Sequence, residues 1–129
     1  MSEYFTLKII TPERLFYEGQ TNFVEFRTEE GDVGVLKGHE AMTYLLSPGV
    51  LKIHEEGGVK KAALHMGFAE ILPDEVRILA QIAEWPEEID KNRAEEARIR
   101  AERAIREDGS NLREELALRR AIARIEAVK

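Results

Sequence analysis

The chain has 129 residues and a mass of 14.7 kDa, which limits it to one or two small domains. Its content of 43% hydrophobic and 34% charged residues predicts a soluble globular protein. No apolar run approaches the length of about 18 residues that a membrane span needs, and we expect no secretory signal at the N-terminus. The absence of cysteine excludes disulfides and cysteine-based metal sites. A net charge of −6 argues against nucleic-acid binding, which needs a basic surface.

The composition changes sharply at Trp85-Pro86. The aromatic residues all lie at or before Trp85, and the prolines all lie at or before Pro86. Residues 1–86 carry 14 acidic and 8 basic side chains, whereas residues 87–129 carry 11 of each. A step of this kind marks a change of architecture. We therefore predict two domains, 1–86 and 87–129.

Residues 1–86 have the pattern of a β domain. Turn-forming residues recur at short intervals, at Thr11-Pro12, Glu18-Gly19, Glu30-Gly31, Lys37-Gly38, Ser47-Pro48-Gly49, Gly57-Gly58, Gly67 and Pro73-Asp74. Apolar and polar residues alternate between them, and one run predicts a shared face for Ala62, Leu64, Met66 and Phe68. Short strands separated by frequent turns predict an all-β sandwich or barrel.

Residues 87–129 have the pattern of two helices. Pro86 suits the first helical position and Asp90 suits an N-cap, and the sequence leaves both starts open. Gly109 interrupts the helical pattern, and Asn111 with Glu114 three residues later resembles a capping box that starts a second helix. Because the connection is short, the two helices are predicted to form an antiparallel hairpin.

The apolar stripes of these helices are thin and rich in alanine. The first stripe comprises Ala94, Ala97, Ala101, Ala104 and Ile105, and the second comprises Leu118, Ala121, Ile122 and Ile125. Short helices with such stripes are marginally stable on their own. We therefore expect the hairpin to dock on the β domain, on a ligand or on another protein.

Side chains suited to catalysis are scarce. None of the three serines lies in a nucleophile-elbow motif, and no glycine-rich phosphate loop is present. His39, His54 and His65 show no metal-ligand spacing. We therefore expect no catalytic residues, no metal site and no required cofactor, and a small enzyme is the hypothesis that the sequence favours least.

The run Glu30–His39 is unusually rich in glycine, with three glycines in Gly31–Gly38. Its polar side chains Asp32, Lys37 and His39 form a candidate contact surface, since loops of this kind often carry binding residues. Ordinary turn chemistry between strands explains the same composition.

Basic residues form the other notable pattern. Five arginines lie on matching faces of the two predicted helices, namely Arg93, Arg100, Arg113, Arg120 and Arg124. An antiparallel hairpin would gather several guanidinium groups, which bind phosphates well. The alternative is a solvated face with intrahelical pairs such as Glu96–Arg100 and Glu102–Arg106, and the charge pattern alone favours it.

Three motifs, in order, resemble those of the ε subunit of bacterial F-type ATP synthases. The first is Glu30–Leu36 followed by Gly38-His39, and the second is Ser47–Leu51. The third, Ile89–Ala94, is similar to the family motif (Ile/Leu)-Asp-x-x-Arg-Ala. Together with the hairpin rich in alanine and arginine, the resemblance covers essentially the whole chain.

The resemblance implies a ten-stranded β-sandwich followed by an antiparallel two-helix hairpin. It implies a non-catalytic rotor subunit of the central stalk of a proton-translocating ATP synthase, peripheral on the cytoplasmic side of the plasma membrane. The sandwich would contact the γ subunit and the ring of c subunits, with Asp32, Lys37 and His39 in the contact loop. The hairpin would permit ATP hydrolysis when folded on the sandwich, and restrain it when extended along γ toward the α and β subunits.

In some bacterial members of this family, ATP binds the folded hairpin as a regulatory ligand. Carried over by matching motifs, that site comprises Glu84, Ile89, Asp90, Arg93, Ala94, Arg100, Arg120 and Arg124. The arginines would offset phosphate charge, and Glu84 or Asp90 would accept a hydrogen bond from the adenine amino group. The competing hypothesis is an adaptor whose sandwich and hairpin bind a helical partner and no nucleotide.

Overall fold

The computed structural model describes residues 3–129, which form eight strands followed by a helical hairpin. The strands are β1 (Phe5–Ile10), β2 (Leu15–Thr21), β3 (Phe23–Thr28), β4 (Gly31–Val35), β5 (Met42–Leu46), β6 (Gly49–Glu55), β7 (Gly58–Ile71) and β8 (Glu75–Glu84). A 3-10 turn, Pro86–Glu88, leads into α1 (Lys91–Asp108) and α2 (Leu112–Ala127).

The strands pair in the order β2-β1-β8-β7-β5-β3-β4, and β6 pairs with both β3 and β7. All of these pairs are antiparallel except β1 with β8. Alternate side chains point to one side, as in β1, where Phe5, Leu7 and Ile9 are buried. All eight strands contribute to one apolar core, so the sheet folds over itself as the predicted sandwich.

The strand count differs from the ten strands that the resemblance implied. β7 is one continuous strand of 14 residues, and it pairs with β6 along its first half and with β5 along its second. β5 and β6 therefore share one edge of β7, interrupted only at Ser47-Pro48. A single long strand serves both parts of the sandwich, and the sequence motifs do not show this continuity.

Gly67 lies inside β7 and does not mark the turn that the sequence predicted. Its φ of 138° belongs to a region that other residues rarely adopt. A Cβ at this position would lie 2.0 Å from the backbone oxygen of Leu79 in β8. Gly19 is likewise inside β2, where a turn was predicted. Glycine at these positions therefore reflects strand packing rather than a reversal of the chain.

The side-chain alternation of β7 changes at Met66, which has a φ of 43°. Ala62 and Leu64 face the sandwich core, as predicted. Beyond Met66 the core face is taken by Ala69, and Phe68 is 42% exposed. The predicted common face for these residues is therefore wrong in its second half, because the unusual backbone conformation reverses the alternation.

The helices begin and end close to the predicted residues. Pro86 starts the 3-10 turn, while Asp90 caps α1 by accepting a hydrogen bond from the backbone N–H of Arg93 at 3.1 Å. Gly109, with a φ of 87°, ends α1. Asn111 caps α2 by accepting from the N–H of Glu114 at 3.0 Å. The sequence left open whether the helix begins at Pro86 or after Asp90. In the structure Pro86 begins the 3-10 turn, and Asp90 caps the α-helix that follows it.

The hairpin docks on the sandwich through α2, which packs on β6 and β7, while α1 packs against α2. Ala121, Ala123 and Ala127 are buried, which is consistent with a close approach of α2 to its neighbours. Ile122 was predicted to be on the buried stripe but is 41% exposed. Because α2 has two partners, its buried surface is wider and is displaced from the predicted stripe.

Candidate functional site

Glu84, at the end of β8, joins the sandwich to the hairpin. Its Oε1 atom accepts a hydrogen bond from Nε of Arg124 in α2 at 2.8 Å. The same oxygen lies 3.0 Å from Nε2 of His65 in β7. Glu84 Oε2 makes no hydrogen bond within residues 3–129 and remains available as an acceptor. One carboxylate thus contacts two elements of the protein and has one oxygen left for a ligand.

The environment of Glu84 favours its ionised form. Partial burial raises the pKa of this carboxyl, but the hydrogen bonds from His65 and Arg124, together with the charge of Arg124, outweigh burial. The pKa of Glu84 therefore lies below its ordinary value. At neutral pH the group is a carboxylate that is already positioned to accept.

Arg120 lies one turn before Arg124 on α2, and its Nε atom is buried. That atom has no hydrogen-bond partner in the described part of the chain. A buried guanidinium nitrogen without an acceptor is costly. An anionic oxygen at this position would complete its hydrogen bonding, as a phosphate or carboxylate does for arginine.

The first turn of α1 carries the third sequence motif. Asp90 uses its Oδ1 to cap the helix, and its backbone oxygen accepts from the N–H of Ala94 at 3.0 Å. Ile89 is partly buried and extended between the 3-10 turn and α1. The side chain of Arg93 is exposed, while Ala94 is buried. The motif therefore forms the joint between the sandwich and the hairpin, with Asp90 already engaged by the backbone.

The arginine stripe separates into two groups. Arg120 and Arg124 are partly buried on α2, and Arg124 contacts the sandwich through Glu84. Arg93, Arg100 and Arg113 are exposed. The structure thus brings one of the five arginines, Arg124, to Glu84, leaves Arg120 partly buried one turn before it, and leaves the other three exposed on the hairpin.

The intrahelical pairs predicted for the solvated face do not occur among residues 3–129. In place of Glu102–Arg106, Glu102 pairs with Arg98 at 2.8 Å, and Arg98 also contacts Glu95 at 3.0 Å. No ion pair joins Glu96 to Arg100 in this part of the chain. Arg98 lies between two glutamates at the favourable spacings of three and four residues, which accounts for the different pairing.

The three residues of the predicted contact loop do not form one cluster. Asp32 lies near the start of β4, where its carboxylate is 3.4 Å from Arg27. Lys37 and His39 lie beyond the end of β4, in the turn closed by the hydrogen bond from His39 N–H to Leu36 O at 3.2 Å. Asp32 is therefore separated from the other two by the length of the strand.

Two contacts near the junction of the sandwich and the hairpin were not predicted from the sequence. One is His65, which is 1% exposed and contacts Glu84. The other is Arg14, whose Nη2 lies 2.9 Å from both carboxylate oxygens of Glu88. The hydrogen bond from Arg14 lowers the pKa of Glu88. Contacts across 19 and 74 residues of sequence leave no local pattern by which they can be found.

Trp85 and the 3-10 turn that follows it are held on the sandwich by Phe16 and Arg14. The ring of Trp85 stacks on that of Phe16, with centroids 4.2 Å apart and an angle of 15° between the planes. The guanidinium of Arg14 lies over the Phe16 ring, 5.0 Å from its centroid. The backbone N–H of Trp85 donates to Glu88 at 2.9 Å. The 3-10 turn is thereby fixed to β2.

A groove of about 1010 Å³ lies elsewhere, between α2 and strands β3, β4 and β6. It is lined by acidic and basic side chains that include Glu25, Arg27, Asp32 and Arg119. None of the residues predicted to bind nucleotide lines it. No group of three or more potential metal ligands occurs among residues 3–129, and no helix within them is long and apolar enough to cross a membrane.

Comparison with known proteins matches both parts of the chain. Residues 4–86 match the model of the ATP synthase delta/epsilon chain β-sandwich domain, and residues 87–129 match that of the delta/epsilon chain long α-helix domain. The ATP synthase epsilon chain of Clostridium novyi is 47% identical over 99% of this chain and 100% of its own length. That of Bacillus velezensis is 41% identical over 93% of each chain.

A solved structure extends the comparison. A chain of the Euglena gracilis mitochondrial ATP synthase, in a structure of OSCP, F1 and c-ring, has a TM-score of 0.84 and 28% identity. The match covers 98% of this chain and 82% of that one. Sequence and fold agree, and the chain therefore belongs to the ATP synthase delta/epsilon family, as an epsilon subunit of the bacterial F type.

Proposed function

We propose that the chain is a non-catalytic rotor subunit of the central stalk, whose helical hairpin senses ATP. Family membership supports the first part, because the Euglena match comes from an assembly of F1 with its c-ring. The proposed partners are the γ subunit and the c-ring, with the α and β subunits when the hairpin is extended. The proposed location is peripheral, on the cytoplasmic side of the plasma membrane.

The contact between Glu84 and Arg124 is the observation that carries the sensing proposal. In the docked hairpin, Arg124 is 2.8 Å from Glu84, and Arg120 has a buried nitrogen without a partner. A triphosphate supplies the missing acceptor for Arg120, and Glu84 Oε2 supplies an acceptor for an amino group such as that of adenine. Bound ATP then bridges the sandwich and the hairpin and favours the docked state.

The other residues of the predicted ATP site shape its surroundings or lie within reach of the phosphates. Ile89 and Ala94 provide apolar surface at the joint, while Asp90 keeps the first turn of α1 in place. Arg93 and Arg100 are exposed and free to turn toward the phosphates. ATP acts as a regulatory ligand, so no cofactor is required and no reaction occurs on this subunit.

The test is a calorimetric titration of the isolated chain with ATP. We expect saturable binding in the wild type, and binding at least about tenfold weaker in Arg120→Ala, which corresponds to one charge-assisted hydrogen bond. The matched control is Arg119→Ala, because Arg119 is the neighbouring exposed arginine on the same helix. Equal affinity in Arg120→Ala and the control would contradict the assignment.

Absence of binding at millimolar ATP would overturn nucleotide sensing. The rotor role would then be tested separately, by co-purification of the chain with the γ subunit. In that case the hairpin would act as a helical contact element without a nucleotide, which is the adaptor behaviour that the sequence also allowed.

A further inference from the structure

The ion pair between Arg14 and Glu88 lies outside the sandwich core and has no part in the proposed ATP site. Nη2 of Arg14 lies 2.9 Å from both carboxylate oxygens of Glu88, so a single guanidinium nitrogen bridges them. The two residues are 74 positions apart in the chain. The pair therefore joins the turn before β2 to the turn before α1.

Arg14 is presented by a closed turn between β1 and β2. The N–H of Thr11 donates to the backbone oxygen of Arg14 at 3.0 Å, and the N–H of Arg14 donates to that of Thr11 at 3.3 Å. The Thr11 hydroxyl donates to the Arg14 oxygen as well, at 3.2 Å. Pro12 lies within the turn and has a fixed φ. None of these bonds involves the hairpin, so the sandwich alone positions Arg14.

Glu88 fastens the 3-10 turn to that arginine. Its Oε1 atom accepts from Arg14 and also from the backbone N–H of Trp85, each at 2.9 Å. Backbone bonds close the turn itself, from Glu88 N–H to Trp85 O at 2.9 Å and from Ile89 N–H to Pro86 O at 3.1 Å. The stacked and ion-paired side chains together form a set that we name the turn clamp, comprising Arg14, Phe16, Trp85 and Glu88.

The contacts of the turn clamp end before α1. Two residues, Ile89 and Asp90, separate the 3-10 turn from α1, and both have extended backbones with φ of −98° and −85°. α1 packs on α2, which in turn packs on β6 and β7, so α1 is linked to the sandwich mainly through α2. Once α2 leaves, rotation at Ile89 and Asp90 would move the hairpin without disturbing the ion pair.

We propose that the turn clamp keeps the 3-10 turn on the sandwich when the hairpin leaves, so that the chain bends at Ile89-Asp90. An exposed ion pair contributes little by itself. Here the carboxylate also holds the backbone of Trp85, and the guanidinium lies over the Phe16 ring on which Trp85 stacks. The inference rests on the proposed function in one respect, since it requires the hairpin to leave the sandwich. It adds a fixed pivot to that movement.

The experiment measures amide hydrogen exchange in the full chain, without nucleotide. The reporters are the N–H groups of Trp85, Glu88 and Ile89, because each is hydrogen-bonded within the turn. Ala123→Glu releases the hairpin, since Ala123 is buried on α2 and lines the groove between α2 and the sandwich. In this variant we expect α2 to lose about tenfold or more in protection, while the reporters change by less than about twofold.

Two substitutions then remove the ion pair from opposite sides in the Ala123→Glu background. Arg14→Met keeps an apolar stem over Phe16, and Glu88→Gln keeps an acceptor for the N–H of Trp85. Each should lower the protection of the reporters about threefold, and both together should lower it about as much as either alone, because they remove the same interaction.

The matched control is Glu87→Gln, since Glu87 is the neighbouring exposed carboxyl, and it should leave the reporters unchanged. A second release variant, Arg124→Glu, sets two carboxylates against each other at Glu84. Trp85 is the sole tryptophan, so acrylamide quenching of its fluorescence gives an independent measure of the stack. Quenching should increase in the two ion-pair variants and not on release of the hairpin alone.

The proposal is overturned if the reporters lose protection together with α2 in either release variant, or if Glu88→Gln behaves as the Glu87→Gln control does. It is also overturned if α2 keeps its protection in both release variants, because the hairpin then does not leave as a unit. Failure of nucleotide sensing would appear only in the ATP titration, whereas this experiment contains no nucleotide.

Discussion

The sandwich and the hairpin are held together in different ways. The sandwich encloses one core to which every strand contributes, and Leu7, Leu51 and Ile53 have no exposed surface. In the hairpin, α1 packs on α2, and α2 attaches to the sandwich through alanines and the Glu84–Arg124 pair. Apolar burial stabilises a domain irrespective of small changes in conditions, whereas a polar contact responds to charge and ligands. This difference supports the proposal that the hairpin can leave the sandwich while the sandwich stays folded.

The largest expected effect is in the sandwich, at Gly67. We predict that Gly67→Ala destabilises the chain by about 4 kcal/mol, because the new Cβ would overlap the backbone oxygen of Leu79 at an unfavourable φ. Urea unfolding followed by circular dichroism measures the change. Gly57→Ala is the control, since its Cβ would meet nothing within 4 Å. A loss at Gly67 no larger than at Gly57 would show that β7 and β8 are not closely packed there.

A second prediction compares apolar residues in the two regions. Ile53→Ala should cost about 3 kcal/mol of unfolding free energy, since the side chain is fully buried in the core. Ile122→Ala should cost less than about 1 kcal/mol, because Ile122 on α2 is 41% exposed. Both are measured by the same unfolding assay. Equal losses would mean that the hairpin is part of the main core.

A smaller effect than in the sandwich core is expected at the contact between Glu84 and the hairpin. The pKa of Glu84 is lowered in the docked state, so its contribution to docking is complete above the ordinary carboxyl pKa and is lost as the pH falls through the lowered pKa. Hydrogen exchange of α2, measured from pH 6 downward, should show this loss of protection.

Replacing Glu84 measures how much its carboxylate contributes to docking of the hairpin. Glu84→Gln should weaken docking by about 1.5 kcal/mol at neutral pH and remove the acid response. Glu87→Gln, which changes an exposed carboxyl close by, is the control. An unchanged acid response in Glu84→Gln would show that another carboxyl holds the hairpin.

Local features were predictable wherever the physical cause is local. Asp90 and Asn111 cap their helices by hydrogen bonds to residues three positions away, and Gly109 ends α1 by its own backbone conformation. The motif Ile89–Ala94 could be recognised because its residues are consecutive in the sequence. The caps and the break at Gly109 indicated the hairpin, and Ile89–Ala94 was one of the three motifs on which the family resemblance rested.

The site was predicted in part. The sequence indicated Glu84, Arg120 and Arg124 through a resemblance, and the structure brings Arg124 to Glu84. The same resemblance did not show that Arg100 and Arg93 are exposed, or that Asp32 is separated from Lys37. Helical periodicity gives the face of a residue on its own helix, but the position of that helix on the sandwich decides which face is covered.

By itself, the sequence determined two regions of different composition, a β domain followed by a helical hairpin, and the family. Those properties follow from periodicity, turn residues and short motifs, which act over a few residues. The tertiary structure alone decided that β7 is one strand whose faces reverse at Met66, and that His65 meets Glu84 beneath α2. These depend on the close approach of segments far apart in the chain, where packing and burial, rather than local preference, select the conformation.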